Sequence, residues 1–259
     1  MATFSRRLIN WAAAFEDGAI IRAAFFGLLT ATGVILYLDY TELSARQPAD
    51  APSDLTPILP AFDPAAPGGT PGPAITTDEK LLRQPLAVVL GSGGTLSLTG
   101  TIDPGAADRV AAEISAHGEY IKTVALDSPG GAVAEALKIG ALIHDKGYAT
   151  SVAAGALCAS SCPLVFAAGR ERLATAKSAI GVHQIYAAAP RSELASRLQS
   201  AGAAMADAQA LTAQISRYLK QMGVDEEIWL RALETPPDRL TYFSADELRT
   251  FKLATRITI

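Results

Sequence analysis

Cysteine, histidine and positive charge are scarce in this chain. Among its 259 residues are two cysteines and three histidines, and the formal net charge is -4. Two cysteines cannot build a framework of several disulfides or a four-thiolate zinc site. A chain with net negative charge also offers no basic surface for nucleic acid. We therefore expect no metal ion, no other cofactor and no nucleic-acid partner.

One long apolar run stands near the N-terminus, from Ala19 to Leu38. Twenty helical residues span about 30 Å, the thickness of a bilayer core. Two interpretations are open: an uncleaved membrane anchor, or a secretory signal peptide, which usually has a shorter apolar region followed by a small-x-small cleavage site. Because 18 residues precede the run and no such site follows Leu38, we expect an anchor.

Charges on either side of this run predict its orientation. Arg6 and Arg7 precede it, whereas Asp39 and Glu42 follow it. Because cytoplasmic flanks carry the excess of positive charge, the N-terminus is predicted to be cytoplasmic. The expected location is the inner membrane, crossed once, with the C-terminal domain in the periplasm or otherwise outside the cytoplasm.

A proline-rich segment separates the apolar run from the rest of the chain. Residues 44–80 contain eight prolines, a composition that favours an extended spacer over hydrogen-bonded structure. The remaining residues suffice for one domain with a sizeable core. We therefore predict a cytoplasmic N-terminus at 1–18, a transmembrane anchor at 19–40, a linker at 41–80 and one domain at 81–259.

Strand and helix patterns alternate along this domain, with short connections and no internal repeat. This order predicts the α/β class with stacked parallel strand pairs. The predicted strands are 86–90, 95–102, 121–126, 149–152, 173–176, 179–184 and 253–259. The predicted helices are 106–117, 132–146, 160–168, 193–222, 226–233 and 245–251.

Three short strings in this domain predict a serine-hydrolase site. The first, Asp127-Ser-Pro-Gly-Gly131, ends a strand, and its glycines allow a sharp turn that exposes amide N–H groups to a ligand oxygen. In the second, Ser160 stands at the start of an apolar helix, where the helix dipole favours an alkoxide and the amide of Ser161 can donate to an oxyanion. In the third, His183 stands at the end of a predicted strand and is the candidate general base. Each string has an ordinary structural interpretation, but their order and spacing favour catalysis.

The three strings resemble those of the proteolytic subunit of the Clp protease, ClpP. The similarity rests on Asp127-Ser-Pro-Gly-Gly131, on Ala159-Ser160 with Gly169 nine residues later, and on Val182-His183-Gln184, and it covers roughly residues 85–257. It implies a ClpP/crotonase-like spiral of ββα units. It also implies that Ser160 is the nucleophile, His183 the base, and the amides of Gly131 and Ser161 the oxyanion hole. Membrane-anchored periplasmic ClpP-like proteins, in which Cys-Ala-Ser-x-Cys is typical, match best.

The chain departs from the ClpP pattern at the acid that orients the base. The family's Asp position falls near Pro236, and the nearest acids are Glu234 and Asp238. Asp238 is the candidate third member, with a backbone carbonyl or Thr235 as the alternative partner of the base.

The two cysteines bracket the predicted nucleophile. Cys158 and Cys162 stand four residues apart, which on a helix places their Cα atoms about 6 Å apart, within disulfide reach. They form either a disulfide that rigidifies the nucleophile turn or two small buried thiols.

The leading hypothesis is a membrane-tethered serine endopeptidase that cleaves peptide or protein substrates through an acyl-enzyme on Ser160. One alternative is a ClpP-like interaction module without activity. Another is a Ser–Lys enzyme similar to signal-peptide peptidases, with Lys138 or Lys177 as base. Because the helix over 193–222 is long and rich in alanine, and because its counterpart in ClpP-like proteins meets a neighbouring subunit, we also expect a homo-oligomer.

Overall fold

A computed structural model describes residues 17–45, 73–184 and 194–258. Most of the predicted cytoplasmic N-terminus and most of the proline-rich linker lie outside these residues. The first element is helix α1 (Asp17–Ala45). Its segment Ile21–Thr41 has 21 residues, a mean hydropathy of 1.7 and none of its length buried within the protein. Among the described residues, one helix, near the N-terminus, is therefore long and apolar enough to span a membrane, as predicted.

The described residues after 72 alternate between strands and helices. The strands are β1 (Ala87–Leu90), β2 (Thr95–Thr99), β3 (Thr123–Asp127), β4 (Ala149–Ser151), β5 (Leu157–Ala159), β6 (Arg172–Thr175), β7 (Ala179–Val182), β8 (Thr241–Tyr242) and β9 (Arg256–Thr258). The helices are α2 (Glu79–Leu82), α3 (Ala106–His117), α4 (Val133–Lys146), α5 (Cys162–Ala167), α6 (Leu194–Gln221), α7 (Glu227–Glu234) and α8 (Ala245–Thr250).

The strands form two sheets. The larger has the order β1-β2-β3-β4-β6-β9, in which β1 is antiparallel to β2 and all other neighbours are parallel. The smaller has the order β5-β7-β8, with β5 and β7 parallel and β8 antiparallel. An isolated bridge between Ser128 and Cys158 links the end of β3 to β5. The predicted α/β class with a mostly parallel sheet is therefore confirmed.

Apolar residues at strand and helix spacings build the core. In β2 the buried residues alternate, as Leu96 and Leu98, while in α4 the fully buried Ile139 and Ile143 lie four residues apart on one face. Phe166 of α5 is also fully buried. Because α5 starts directly after the turn at Ser160, its packing in the core holds one side of that turn.

The described elements differ from the sequence prediction at several points, and two of these differences bear on the site. Strand β5 was not predicted, because all three of its residues are buried and the run is too short to show alternation. The folded unit also begins before residue 81. Ile75 packs against a cluster that includes Leu157, and the Thr76 N–H donates to the Gly155 carbonyl at 2.9 Å. The end of the predicted linker therefore lies against the strand that leads to Ser160.

Candidate active site

The three strings all follow the carboxyl ends of strands. Residues 128–131, called the glycine loop below, follow β3. Ser160 follows β5, and His183 follows β7. Strands β5 and β7 are parallel neighbours with Ala159 opposite Gly181, and the Ser160 N–H donates to the Gly181 carbonyl at 3.0 Å. Because adjacent parallel strands run in the same direction, their carboxyl ends lie together. Ser160 and His183 therefore lie at the same end of the small sheet.

Ser160 has a strained backbone. Its φ is +60°, and Lys252 is the only other non-glycine residue with positive φ in the described part of the chain. This left-handed conformation is uncommon for side chains larger than glycine and concentrates at functional sites. Here it makes the sharp turn from β5 into α5, and the side chain is half-buried at that turn.

A disulfide encloses this turn. Cys158 and Cys162 are bonded, with their Cα atoms 5.1 Å apart, so the first of the two alternatives is the one observed. The helical spacing used to predict their approach is wrong, since Cys158 lies in β5 and only Cys162 lies in a helix. The turn at Ser160 brings them together instead. Both cysteines are fully buried, which ties the two sides of the turn at Ser160 to the core.

His183 is buried and held by a backbone carbonyl. Its Nδ1 lies 2.7 Å from the carbonyl oxygen of Gln184. Because a carbonyl oxygen only accepts, Nδ1 carries the proton and the neutral ring presents Nε2 as an acceptor. Burial lowers the pKa of His183, and the hydrogen bond to the Gln184 carbonyl partly opposes that effect. The imidazole is therefore favoured in the neutral form that a general base requires.

The Gln184 carbonyl is itself well anchored. The Gln184 N–H donates to the Thr235 carbonyl at 2.8 Å, and its side-chain amide donates to the Leu233 carbonyl at 2.5 Å. These bonds tie the segment after β7 to the end of α7. They keep the carbonyl that orients His183 in place.

Asp238 occupies a different place from the one expected for a third member. Its side chain is 73% exposed and lies 3.6 Å from Arg239 in a surface ion pair. Glu234 is also exposed. In this structure the Nδ1 partner of His183 is the Gln184 carbonyl, the alternative that the sequence left open, although Thr235 helps to hold it.

The glycine loop approaches the turn at Ser160 closely. Gly130 has φ +89°, and a Cβ there would lie 2.5 Å from the Ala159 carbonyl oxygen and 2.8 Å from the Ser161 nitrogen. Gly131 has φ +148°, and a Cβ there would lie 2.3 Å from the Ile102 carbonyl oxygen. Both positions therefore require glycine for conformation and for space.

The side chain of Ser161 contacts this loop in a way the sequence did not suggest. We expected Ser161 to contribute its amide, but its Oγ accepts a hydrogen bond from the Gly131 N–H at 2.9 Å. The same hydroxyl lies 3.2 Å from the Gly131 carbonyl oxygen, to which it can donate. The Gly131 amide, one of the two predicted for the oxyanion hole, therefore donates to a protein hydroxyl in this structure.

A mostly apolar cleft of about 450 Å³, counted with its space open to solvent, lies beside these residues. Ser160, Ser161 and His183 line it. The apolar part of its wall includes Val133, Leu164, Ile215, Leu219, Ile228 and Trp229. These wall residues are not predicted by the sequence motifs, although the helical spacing of residues 215 and 219 indicates a buried face.

The alternative lysine bases stand in unsuitable places. Lys177 precedes β7, and its carbonyl accepts from the Gly155 N–H at 2.9 Å, so it lies at the end of the small sheet opposite Ser160. Lys138 is exposed on α4 and pairs with Glu135 at 3.1 Å. Among the described residues, no group of three or more His, Cys, Asp or Glu side chains is arranged to hold a metal ion.

No protein-family model matches the chain, and no curated protein matches it.

Proposed function

We propose that the protein is a membrane-tethered serine peptidase that cleaves peptide bonds through an acyl-enzyme on Ser160, with His183 as general base. The observation that carries this proposal is the strained Ser160 turn. A serine with φ +60° directly follows a parallel strand and lines one cleft with a buried histidine. Strained backbone conformations of this kind cluster at functional sites.

The proposed reaction needs only groups of the protein and water. Ser160 Oγ attacks the carbonyl carbon of the peptide while its proton passes to Nε2 of His183. The tetrahedral oxyanion then collapses, the C–N bond breaks, and the leaving amine takes that proton. Water next attacks the acyl-enzyme, again losing a proton to His183, which returns it to Ser160 Oγ as the carboxylic acid departs.

The electrostatics of the base support this role. Burial lowers the pKa of His183, so that the ring stays neutral near pH 7 and can accept the serine proton. The carbonyl of Gln184 fixes the tautomer that leaves Nε2 as the acceptor.

Three further properties belong to the same proposal. We infer that the fold is a ClpP/crotonase-like spiral, because parallel strand pairs and helices bring the three strings together in the order of that family. We infer a location outside the cytoplasm, because a disulfide persists in oxidising compartments. We infer a homo-oligomer, because side chains at 205–210 of α6 are exposed, including Met205 at 65%. A monomer in sedimentation of the full chain in detergent would refute the last inference.

Fluorophosphonate labelling of the full chain in detergent tests the activity. The wild type should be labelled at Ser160, and Ser160→Ala should abolish labelling. Ser115→Ala, at an exposed position on α3, is the matched control and should label normally. His183→Ala should be nearly as severe as Ser160→Ala, because a serine without a base is a poor nucleophile near neutral pH. Equal labelling of the wild type and Ser160→Ala would refute the proposal.

The second candidate function is a non-catalytic interaction module. Two observations favour it: the surface position of Asp238, and the occupation of the Gly131 amide by Ser161 Oγ. This candidate predicts that the folded wild type is not labelled at Ser160 at any pH between 6 and 9. The labelling experiment therefore separates the two functions.

A further inference from the structure

We propose that the hydroxyl of Ser161 acts as a latch, which fills the oxyanion site of the resting protein and must leave it before a substrate is acylated. The inference rests on the proposed function. The Gly131 N–H donates to Ser161 Oγ at 2.9 Å, within the range of about 2.7 to 3.1 Å at which a donor holds a developing oxyanion. The hydroxyl oxygen therefore accepts the hydrogen bond that the Gly131 N–H would otherwise donate to the substrate oxygen.

The position of Ser161 gives its hydroxyl a more usual partner, which it does not use. Ser161 is the N-cap residue of α5, where a serine side chain ordinarily accepts from an amide of the first helical turn. Here the side chain makes no such capping bond. It instead bonds to the Gly131 N–H and lies 3.2 Å from the Gly131 carbonyl oxygen. The hydroxyl thus spans both peptide groups of the residue that is predicted to bind the oxyanion.

The glycine loop has little freedom to release this hydroxyl by moving away. The Gly130 carbonyl accepts from the Ile102 N–H at 2.8 Å, and the Ala132 N–H donates to the Ile102 carbonyl at 2.8 Å. The Gly130 N–H is held by Ser128 Oγ at 3.1 Å. With the loop fixed on both sides of Gly131, the side chain of Ser161 is the part that moves. A rotation about its χ1 frees the amide.

The latch predicts a rate increase from removing a polar side chain. Ser161→Ala frees the Gly131 N–H, so the substrate oxygen no longer competes with an internal acceptor. One neutral hydrogen bond corresponds to a factor of about 2 to 10 in an equilibrium, and we expect fluorophosphonate labelling of Ser160 to accelerate by about that factor. Loss of a merely structural contact would slow labelling, since it would loosen the loop.

The experiment compares the wild type, Ser161→Ala, Ser161→Thr and Ser160→Ala as full chains in detergent. Labelling rates are measured from pH 5 to 9, with thermal unfolding of each variant. Ser161→Ala should raise the plateau rate and leave the apparent pKa unchanged, because His183 remains the base. Ser161→Thr keeps the hydroxyl and should label no faster than the wild type.

Two other outcomes separate failure of the latch from failure of the peptidase proposal. If the wild type labels at Ser160 and Ser161→Ala is no faster with unchanged thermal stability, the latch is overturned and the peptidase proposal stands. If neither protein labels beyond Ser160→Ala, the peptidase proposal fails and the latch fails with it.

Discussion

A methyl group at Gly130 should disable the site far more than a methyl group at a comparable glycine elsewhere. Gly130 and Gly147 both have positive φ, +89° and +66°. A Cβ on Gly147 would meet nothing within 4 Å, whereas one on Gly130 would lie 2.5 Å from the Ala159 carbonyl oxygen and 2.7 Å from the Ser160 Cβ. The pair of alanine variants therefore separates backbone strain from crowding of the nucleophile.

The expected stability losses follow from these contacts. An alanine in the left-handed region costs about 1 to 2 kcal/mol, which is the whole expected effect of Gly147→Ala. At Gly130 the displaced backbone adds about 1 to 3 kcal/mol of overpacking. For a domain of this size each 1 kcal/mol lowers the unfolding temperature by about 2 to 4 °C. Gly130→Ala should therefore unfold several degrees below Gly147→Ala.

The activities should differ more than the stabilities. The atoms that a Gly130 methyl would displace belong to Ala159, Ser160 and Ser161. A displacement of about 1 Å at a reacting group can cost 100-fold in rate. At a temperature where both variants are folded, we expect Ser160 in Gly130→Ala to label at least about 100-fold more slowly than in Gly147→Ala. Equal labelling of the two variants would refute the placement of Gly130 against the nucleophile turn.

Three other predictions use the same labelling assay. Because burial lowers the pKa of His183 below its ordinary value of 6.5, more than half of the base is neutral at pH 6.5, and the rate there should exceed half of its high-pH plateau. Asp238→Asn should leave the rate within about 2-fold of the wild type, since the side chain is 73% exposed and paired at the surface rather than with the base. Reduction of the Cys158–Cys162 disulfide should slow labelling and lower the unfolding temperature, because the bond closes the strained turn around Ser160.

Each of these predictions has a clear contrary result. A rate below half of the plateau at pH 6.5 would show that His183 is not buried as described or is not the base. Loss of activity in Asp238→Asn comparable with that in His183→Ala would restore the acid as third member. Full labelling after reduction, checked by complete alkylation of both thiols, would mean that packing alone maintains the turn.

Local patterns predicted most of the regular elements. Helix α3 was predicted over the residues it occupies, and α4 and α6 to within one residue at each end, because their apolar residues recur at helical spacing over three or more turns. The apolar run of α1 was equally clear. Short strands without alternation were not: β5 and β8 were missed, since two or three residues carry too little periodicity to predict a strand.

The candidate site shows the same division. The sequence by itself determined which residues are chemically able to act, because two adjacent glycines, a serine after a small-residue turn and a histidine at a strand end are local features. Only the tertiary structure decided their partners. It placed the Gln184 carbonyl rather than Asp238 beside His183, and the Ser161 hydroxyl on the Gly131 amide. These contacts join segments that are distant along the chain or depend on backbone direction at a single turn, and residue spacing does not encode either.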